Sequence, residues 1–246
     1  MEHGPMIDTL SDADKPKYAA AARALELVED GMRLGLGTGS TAFWLVKLLA
    51  DKVAAGGFSV TCVPTSSQTK AQAEAGGLNV TTLDALGRLD LVIDGADEFD
   101  PQLNLIKGAG GALLQEKIVA TASDRMVVIA DPSKEVQVLG AFPLSVEVVK
   151  FGWKTTEGLI SEMLADVDVD SRVITRRMAG DAPYITDEDH YILDLHLGRI
   201  GGPKALALML NTVPGVVETG LFIDIAEAVI VGRADGSADF MTLKGA

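Results

Sequence analysis

Short apolar runs alternate with helical patterns along the first half of the chain. Residues 17–29 repeat apolar side chains at helical spacing, and the following Asp30-Gly31 predicts where that helix ends. Such alternation is typical of βαβ units, so we expect an α/β fold with a doubly wound, mainly parallel, Rossmann-like sheet. The predicted strands cover 33–36, 60–63, 89–93 and 126–130, and further helices begin near Ser40, Ser67 and Ala112.

The pattern changes after Gly140. Strands are predicted at 145–149, 173–175, 191–196 and 216–222, with helices at 155–165 and after Pro203. The order β-α-β-β-α-β predicts a smaller α+β, ferredoxin-like domain over 142–222, while 1–141 plus 223–246 form the Rossmann-like domain. The helix after Pro203 should bury Leu206, Met209, Leu210 and Val213, and the final strand, at 228–231, should rejoin the first sheet.

The net charge of the chain limits the kinds of molecule that it is expected to bind. The 246 residues include 21 Lys and Arg against 35 Asp and Glu, a formal net charge of −14. A surface of that sign repels a polyphosphate backbone, so no nucleic acid partner is expected. An anionic substrate would have to be bound by local devices, namely helix N-termini and a few lysines.

The location is predicted from what the sequence lacks. Cys62 is the only cysteine, which excludes an intramolecular disulfide and fits a reducing compartment. The N-terminal segment 1–14 has no basic stretch before an apolar run, and no unbroken run of about 18 apolar residues occurs anywhere. We therefore expect a cytoplasmic protein with no secretory signal and no membrane partner.

A glycine-rich turn at 35–41, GLGTGST, lies between a predicted strand and a predicted helix. Its glycines allow close approach of backbone N–H groups, and Ser40 and Thr41 add hydroxyls at a helix N-terminus, where an anion is favoured. The turn lacks the third glycine of a dinucleotide fingerprint and the lysine of a P-loop. It is therefore a candidate phosphate-binding turn, although taken alone it is as typical of a purely structural turn.

Two carboxylates follow the apolar strand at 89–93. Asp94 and Asp97 enclose Gly95 and Ala96, at the strand end where open α/β sheets collect their ligands. The alternative is local turn chemistry, because Asp-Gly is a common turn former and Asp97 could cap a helix.

A third motif, KGAGGALLQEK at 107–117, places a cation before a glycine-dense turn that opens a helix. Lys107 could stabilise a developing oxyanion, and Glu116 could act as a general base, although a glutamate early in a helix is more often a solvated residue. A fourth candidate is Lys134, which follows the strand at 126–130 and could bind a ligand or only solvent.

Together, these motifs resemble those of type A ribose-5-phosphate isomerases. The matching segments, in order, are GLGTGST, PTSSQT at 64–69, DGADE, KGAGGALLQEK, IADPSK and FPLSVEV, and the resemblance runs from about Lys17 to the C-terminus. Membership would imply an aldose–ketose isomerase of the non-oxidative pentose phosphate pathway. The enzyme would interconvert D-ribose 5-phosphate and D-ribulose 5-phosphate through an enediolate, as a homodimer or homotetramer, with no cofactor.

The resemblance also implies a role for each motif. It assigns phosphate binding to the turn Thr38-Gly39-Ser40-Thr41 with Lys17, and ring opening and hydroxyl binding to the segment Asp94-Gly95-Ala96-Asp97. Substrate contacts would come from Lys107-Gly108-Ala109-Gly110 and from Lys134, and Glu116 would be the proton acceptor. Two residues depart from the commonest pattern: Gln115 stands where many relatives have arginine, and Ala109 interrupts a glycine run.

The chemistry needs no metal in this interpretation. One carboxylate can move a proton between C2 and C1, so Glu116 suffices as base and then acid. The histidines, His3, His190 and His196, show no ligand spacing near the carboxylates. Two alternatives stay open: a CoA transferase-like enzyme with a nucleophilic glutamate, and a sugar-phosphate sensor that binds without turnover.

Overall fold

The structure is a computed structural model that describes Ile7 and residues 9–243. Within these residues the chain forms two compact units. The first comprises the described residues up to Ala96, Gln115–Glu135 and those from Ile225 onward, and the second comprises Asp97–Leu114 and Val136–Asp224. The sequence predicts one domain over 1–141 plus 223–246 and another over 142–222. These domain boundaries stay a prediction. Residues 97–114 group with the second unit because two short strands in this segment pair there.

The first unit is built on a mainly parallel sheet. In chain order its strands are β1 (Arg33–Leu36), β2 (Thr61–Pro64), β3 (Asn79–Val80), β4 (Leu91–Gly95), β7 (Met126–Ala130), β15 (Ala228–Gly232) and β16 (Ala238–Thr242). They lie in the order β16-β15-β7-β4-β1-β2-β3, and only β16 pairs antiparallel. The doubly wound, mainly parallel sheet is confirmed, and the strand predicted at 228–231 does join it beside β7. It is not the final strand, however, because β16 follows it and pairs with it.

Helices of the first unit follow its strands as expected. They are α1 (Lys15–Leu25), α2 (Ser40–Ala54), α3 (Ser67–Ala75), α4 (Leu83–Leu86) and α5 (Leu113–Thr121), with a short 3-10 helix at Pro132–Lys134. Of these, α4 was not predicted, and the first two residues of α5 belong to the second unit. The alanine-rich α1 begins with Pro16 in its first turn and ends four residues before the predicted residue 29. None of the helices in the described part of the chain is both long and apolar enough to cross a membrane.

The central strands are continuous apolar runs in the sequence because they are buried in the structure. Every residue of β7 and β15 is buried, as is usual for parallel strands covered on both faces. The single cysteine, Cys62, lies on β2 inside this core. The edge strand β16 is less buried, since each of its residues is exposed or half-buried.

The second unit contains the α+β arrangement that the sequence predicts. Strands β8 (Leu144–Val148), β9 (Val173–Arg176), β12 (Tyr191–His196) and β13 (Val216–Thr219) form an antiparallel sheet in the order β13-β8-β12-β9, with helices α6 (Trp153–Leu164) and α7 (Pro203–Leu210). This is the strand order 4-1-3-2 of a split βαβ unit, so the ferredoxin-like prediction is confirmed. A small hairpin of β10 (Met178–Ala179) and β11 (Ala182–Pro183) follows β9.

Two details of the second unit differ from the prediction. The strand expected at 216–222 divides at Gly220 into β13 and β14 (Leu221–Phe222), and β14 pairs instead with β6 (Leu105–Ile106), which pairs with β5 (Glu98–Phe99). On α7, Leu206 and Leu210 are buried, but Met209 is 38% exposed. The packed face of this short helix is therefore narrower than the full spacing pattern indicates.

Candidate active site

The glycine-rich turn is fixed by the two strands beside it. Gly37 N–H donates to the carbonyl oxygen of Ile93 on β4 (3.0 Å), which extends the contact between β1 and β4 by one residue. Gly39 then adopts φ +110°, a conformation that favours glycine, and forms the N-cap of α2. Since glycine has no side chain to accept hydrogen bonds, the N–H groups of the first turn of α2 are available to bind an anion.

Asp94 supports this turn from the carboxyl end of β4. Its Oδ1 accepts hydrogen bonds from Thr38 N–H (3.1 Å) and Gly95 N–H (2.7 Å), and the residue is only 1% exposed. A Cβ atom on Gly37 would lie 2.1 Å from this oxygen. The close approach explains why glycine is required there. The bond to Gly95 is local turn chemistry, but the bond to Thr38 ties the carboxylate to the turn from a distant part of the chain.

A cluster of hydroxyl groups, formed by Thr38, Thr65, Ser66 and Thr69, holds the same turn from the other side. Thr38 Oγ1 lies 2.8 Å from Thr65 Oγ1, 2.8 Å from Ser66 Oγ and 3.1 Å from Thr69 Oγ1. Thr69 Oγ1 also donates to the Gly37 carbonyl oxygen (3.0 Å), and Ser66 caps α3 by accepting from Thr69 N–H. The segment PTSSQT therefore positions the turn, a role that motif spacing alone did not assign.

Glu116 lies in the first turn of α5 and is 4% exposed. The interpretation of this residue as a solvated helix glutamate is therefore wrong. A buried carboxylate is expensive to desolvate, so its presence indicates a use other than solubility. Lys17 on α1 and Lys134 at the end of the 3-10 helix are both half-buried, and neither takes part in the hydrogen bonds of the glycine-rich turn.

In the second unit, Lys107 follows β6 and is 2% exposed, which is unusual for a lysine. Its Nζ lies 5.5 Å from the centre of the Phe222 ring, within reach of a cation–π interaction. Its backbone N–H donates to the carbonyl oxygen of Gly220 (2.9 Å), and Gly220 N–H donates to the Ser145 carbonyl oxygen (2.7 Å). A Cβ at Gly220 would lie 2.1 Å from the Lys107 carbonyl oxygen, so the glycine that divides the predicted strand also positions Lys107.

Asp97 contacts the turn that follows Lys107. Its Oδ2 accepts a hydrogen bond from Ala109 N–H (2.9 Å), and its own N–H donates to the Ile106 carbonyl oxygen (2.8 Å). Asp97 directly precedes β5, so the suggestion that it caps a helix is wrong. Within the turn, Gly108 has φ +117° and Gly111 has φ +75°, and Gly111 N–H donates to the Gly108 carbonyl oxygen (2.9 Å).

Side chains that the motifs did not single out also contact this turn. Arg177, directly after β9, donates to the carbonyl oxygens of Gly108 (2.7 Å) and Ala109 (3.1 Å). Tyr184 O–H donates to the Gly110 carbonyl oxygen (3.2 Å). No sequence signal pointed to either residue, because each lies far along the chain from the turn and follows no motif.

The segment that carries Tyr184 is anchored by a buried carboxylate. Glu147 Oε1 on β8 accepts from Thr186 Oγ1 (2.9 Å) and lies 3.0 Å from His190 Nδ1. Burial raises the pKa of Glu147 above its usual range, and the hydrogen bonds with His190 and Thr186 oppose that shift. Burial likewise raises the pKa of Tyr184, so its hydroxyl stays protonated and able to donate at neutral pH.

The structure thus joins the predicted residues in two separate networks. In the first unit Asp94 and Thr38 meet, beside Gly39 and Gly95; in the second, Asp97 meets the turn of Gly108, Ala109 and Gly110 that follows Lys107. Ser40 and Thr41 form the first turn of α2, and Ala96 directly precedes Asp97. Among the described residues, no group of three or more His, Cys, Asp or Glu side chains is arranged to hold a metal ion.

Comparison with known proteins agrees with the motif resemblance. The family described as Ribose 5-phosphate isomerase A (phosphoriboisomerase A) matches residues 61–236, which is well over half of the chain. The Ribose-5-phosphate isomerase A of Ruegeria sp. (strain TM1040) is 60% identical over 234 residues, covering 95% of this chain and 89% of that protein.

Solved structures extend the similarity to the fold. A D-ribose-5-phosphate isomerase in complex with phospho-erythronic acid superposes with a TM-score of 0.85 at 40% identity, covering 92% of this chain and 97% of that one. Ribose 5-phosphate isomerase A from Methanocaldococcus jannaschii gives a TM-score of 0.86 at 35% identity, covering 94% of this chain and all of that one.

Proposed function

We propose that this chain, which belongs to the ribose 5-phosphate isomerase A family, interconverts D-ribose 5-phosphate and D-ribulose 5-phosphate. The observation that carries the proposal is the 60% identity to a named ribose-5-phosphate isomerase A across 95% of the chain. The reaction is an aldose–ketose isomerisation through an enediolate, and it belongs to the non-oxidative pentose phosphate pathway.

The phosphate group would bind at the N-terminus of α2. Backbone N–H groups and the hydroxyls of Ser40 and Thr41 supply donors there, and the helix dipole favours the negative charge. The backbone conformation of Gly39 and the hydrogen bonds of Thr38 support this role, because they hold the turn through contacts within the protein. Lys17 would add a positive charge against the overall field of a chain with net charge −14.

Proton transfer would rest on Glu116. The isomerisation removes a proton from C2 and returns one to C1, and a single carboxylate can serve as base and then as acid. The burial of Glu116 supports this role, because a site that excludes water lets the carboxylate act on the sugar without competition from solvent. Asp94 or Asp97 would accept the proton released on ring opening, and the segment from Asp94 to Asp97 would bind sugar hydroxyls.

Negative charge on the enediolate would be stabilised by Lys107 and by backbone N–H groups of the turn Gly108-Ala109-Gly110, in which Ala109 N–H already binds Asp97. Preorganised donors aimed at a developing oxyanion are worth about 3 to 4 kcal/mol each in other enzymes. The burial of Lys107 and the several hydrogen bonds that fix the turn support such preorganisation. Lys134 would add a further substrate contact.

The remaining parts of the proposal concern the setting of the enzyme. The chain would act in the cytoplasm as a homodimer or homotetramer, without a metal, a cofactor, a nucleic acid partner or a membrane partner. The strongly acidic composition supports the absence of nucleic acid binding.

The direct test is to incubate the purified protein with D-ribose 5-phosphate and to monitor formation of the ketose. Turnover without added cofactor is expected, exhaustive chelation should leave the rate unchanged, and phospho-erythronic acid should inhibit competitively. Activity that disappears on chelation and returns with a divalent ion would refute the metal-free mechanism. Acyl-CoA transfer without isomerisation would favour the CoA transferase alternative, and binding of the sugar phosphate without turnover would favour a sensor.

A further inference from the structure

Arg177 uses all of the hydrogen-bond donors that its side chain has. Its Nε donates to Asp194 Oδ2 (2.9 Å), one Nη donates to the carbonyl oxygens of Gly108 (2.7 Å) and Ala109 (3.1 Å), and the other donates to Ser145 Oγ (2.8 Å) and to Asp194 Oδ1. A guanidinium has five N–H groups in one plane, so each has an acceptor here. The Arg177 and Asp194 side chains are both only 15% exposed, so the pair is largely shielded from water and salt.

These contacts determine how two peptide groups of the turn are oriented. In a trans peptide the carbonyl oxygen and the N–H of the next residue point in opposite directions. Because the Gly108 carbonyl is bound to Arg177, Ala109 N–H points away from Arg177, and it donates to Asp97 Oδ2 at 2.9 Å. Because the Ala109 carbonyl is also bound to Arg177, the N–H of Gly110 is likewise directed away from it.

Tyr184 fixes the next peptide group in the same way. Its hydroxyl donates to the Gly110 carbonyl oxygen (3.2 Å), and the N–H on the other side of that peptide, from Gly111, donates to the Gly108 carbonyl oxygen (2.9 Å). The Tyr184 ring lies 5.9 Å from the Arg177 guanidinium. The three consecutive peptide groups that begin at the Gly108 carbonyl are therefore held by two side chains from a distant segment of the chain.

We propose that Arg177 is a positioning residue for the isomerase reaction, and that Tyr184 assists it. By binding the carbonyl oxygens of the turn, Arg177 presents the opposite N–H groups to Asp97 and to the substrate oxyanion. A flexible glycine-rich turn would otherwise populate several peptide orientations, and donors must be preorganised to stabilise a transition state. The inference deepens the proposed function and rests on it, because it assumes that the turn binds the sugar phosphate.

The chain offers a matched control for each residue. Arg176, the preceding residue, is directed to other partners: its guanidinium lies 4.4 Å from the Trp153 ring centre and 5.2 Å from the Tyr191 ring centre. Tyr191 packs edge-on against Trp153, with ring centres 6.0 Å apart. Substitutions at Arg176 and Tyr191 disturb packing of the same sheet without touching the turn.

The experiment compares kcat, KM and thermal stability for Arg177→Lys, Arg177→Ala and Tyr184→Phe with those for Arg176→Lys, Arg176→Ala and Tyr191→Phe. Displacement of catalytic groups by about 1 Å can reduce rates about 100-fold, so kcat of Arg177→Ala should fall about 10- to 100-fold. KM for D-ribose 5-phosphate should change less than about threefold, because the phosphate is assigned to the turn at α2. Lysine cannot supply the planar fork, so Arg177→Lys should also lose most turnover, whereas both Arg176 variants should keep it.

Chemical rescue separates positioning from stability. Guanidinium ion at a non-denaturing concentration should raise kcat of Arg177→Ala about threefold or more, and an equal concentration of sodium chloride should not. If Arg177→Ala does not fold, the milder Tyr184→Phe decides: its kcat should fall while that of Tyr191→Phe does not. The inference is overturned if the Arg177 and Tyr184 variants keep parental kcat, or if their losses match those of the controls. An inactive parent would instead refute the proposed function itself.

Discussion

A tight steric constraint in the glycine-rich turn predicts the effect of Gly37→Ala. A Cβ at this position would lie 2.1 Å from Asp94 Oδ1, 2.3 Å from Asp94 Cγ and 2.5 Å from Asp94 Cα. The first two contacts could be relieved by rotation of the carboxylate. The third involves the backbone of β4, so β1 and β4 must also move apart locally.

The expected losses of stability and activity in Gly37→Ala follow from these distances. Cβ atoms rarely approach other heavy atoms closer than 3.0 Å, so the carboxylate must shift by nearly 1 Å, and its bonds from Thr38 N–H (3.1 Å) and Gly95 N–H (2.7 Å) must break or stretch. Overpacking of this kind typically reduces the free energy of unfolding by about 1 to 3 kcal/mol. Domains of ordinary stability remain folded after such a loss. Because both Asp94 and the phosphate turn are displaced, kcat/KM should fall about 100-fold.

The assay measures kcat and KM with D-ribose 5-phosphate together with unfolding in urea. Gly158→Ala is the control, because this exposed glycine on α6 has open space around its Cα and no unusual backbone angle. It should keep full activity and gain about 0.5 to 1 kcal/mol in stability. Adding Asp94→Ala to Gly37→Ala should recover part of the lost stability but none of the activity. Parental kinetics in a folded Gly37→Ala variant would show that the geometry of this turn does not matter for the reaction.

Three further predictions follow. Glu116→Gln should lower kcat about 10² to 10⁴-fold with little change in KM, whereas the exposed Glu162→Gln should not; equal kinetics for both variants would exclude Glu116 as the base. Unphosphorylated D-ribose should have a far lower kcat/KM than D-ribose 5-phosphate, because binding energy at the phosphate positions the reacting carbons; similar values would contradict the assignment of the turn. Since burial raises the pKa of Glu147, the folded state binds its proton more tightly than the unfolded chain does. The difference in unfolding free energy between the parent and Glu147→Gln should therefore decrease as pH rises above 4.5 and become constant beyond the raised pKa. Urea titrations in which this difference increases with pH would contradict the raised pKa.

Parts of the fold could be predicted where burial imposes a clear pattern. The strand at 126–130 has the predicted bounds, because its buried apolar run ends where Asp131 begins, and the strand at 191–196, which has polar residues within it, also has them. The two-residue strands β3, β5, β6, β10 and β11 were missed, because a run of that length shows no periodicity, and the mostly exposed β16 was missed as well. The division of 216–222 was missed for another reason: the separate roles of β13 and β14 depend on contacts of Gly220 with Lys107 and Ser145, which lie elsewhere in the sequence.

The residues of the candidate site could likewise be predicted only in part from the sequence. Asp94, Lys107 and Glu116 were predicted because each lies beside a glycine-rich turn at a strand or helix end, and all three are buried in the structure. Arg177 could not be predicted, because its partner Gly108 lies 69 residues away and the dipeptide Arg176-Arg177 looks like an ordinary charged surface. Local composition therefore indicates the residues that carry the chemistry, while the residues that position them depend on tertiary structure.

The reaction rate of the buried thiol on β2 can be used to measure how often the first unit opens. Cys62 is the only cysteine in the chain, and burial raises its pKa to about 12. Because the thiolate is the reactive form, alkylating reagents at neutral pH should modify the folded protein only when β2 becomes exposed. The rate of modification therefore reports how often this part of the sheet opens, without any engineered label. Slower modification in the presence of a sugar phosphate would measure, through this single sulfur atom, how strongly the ligand stabilises the sheet.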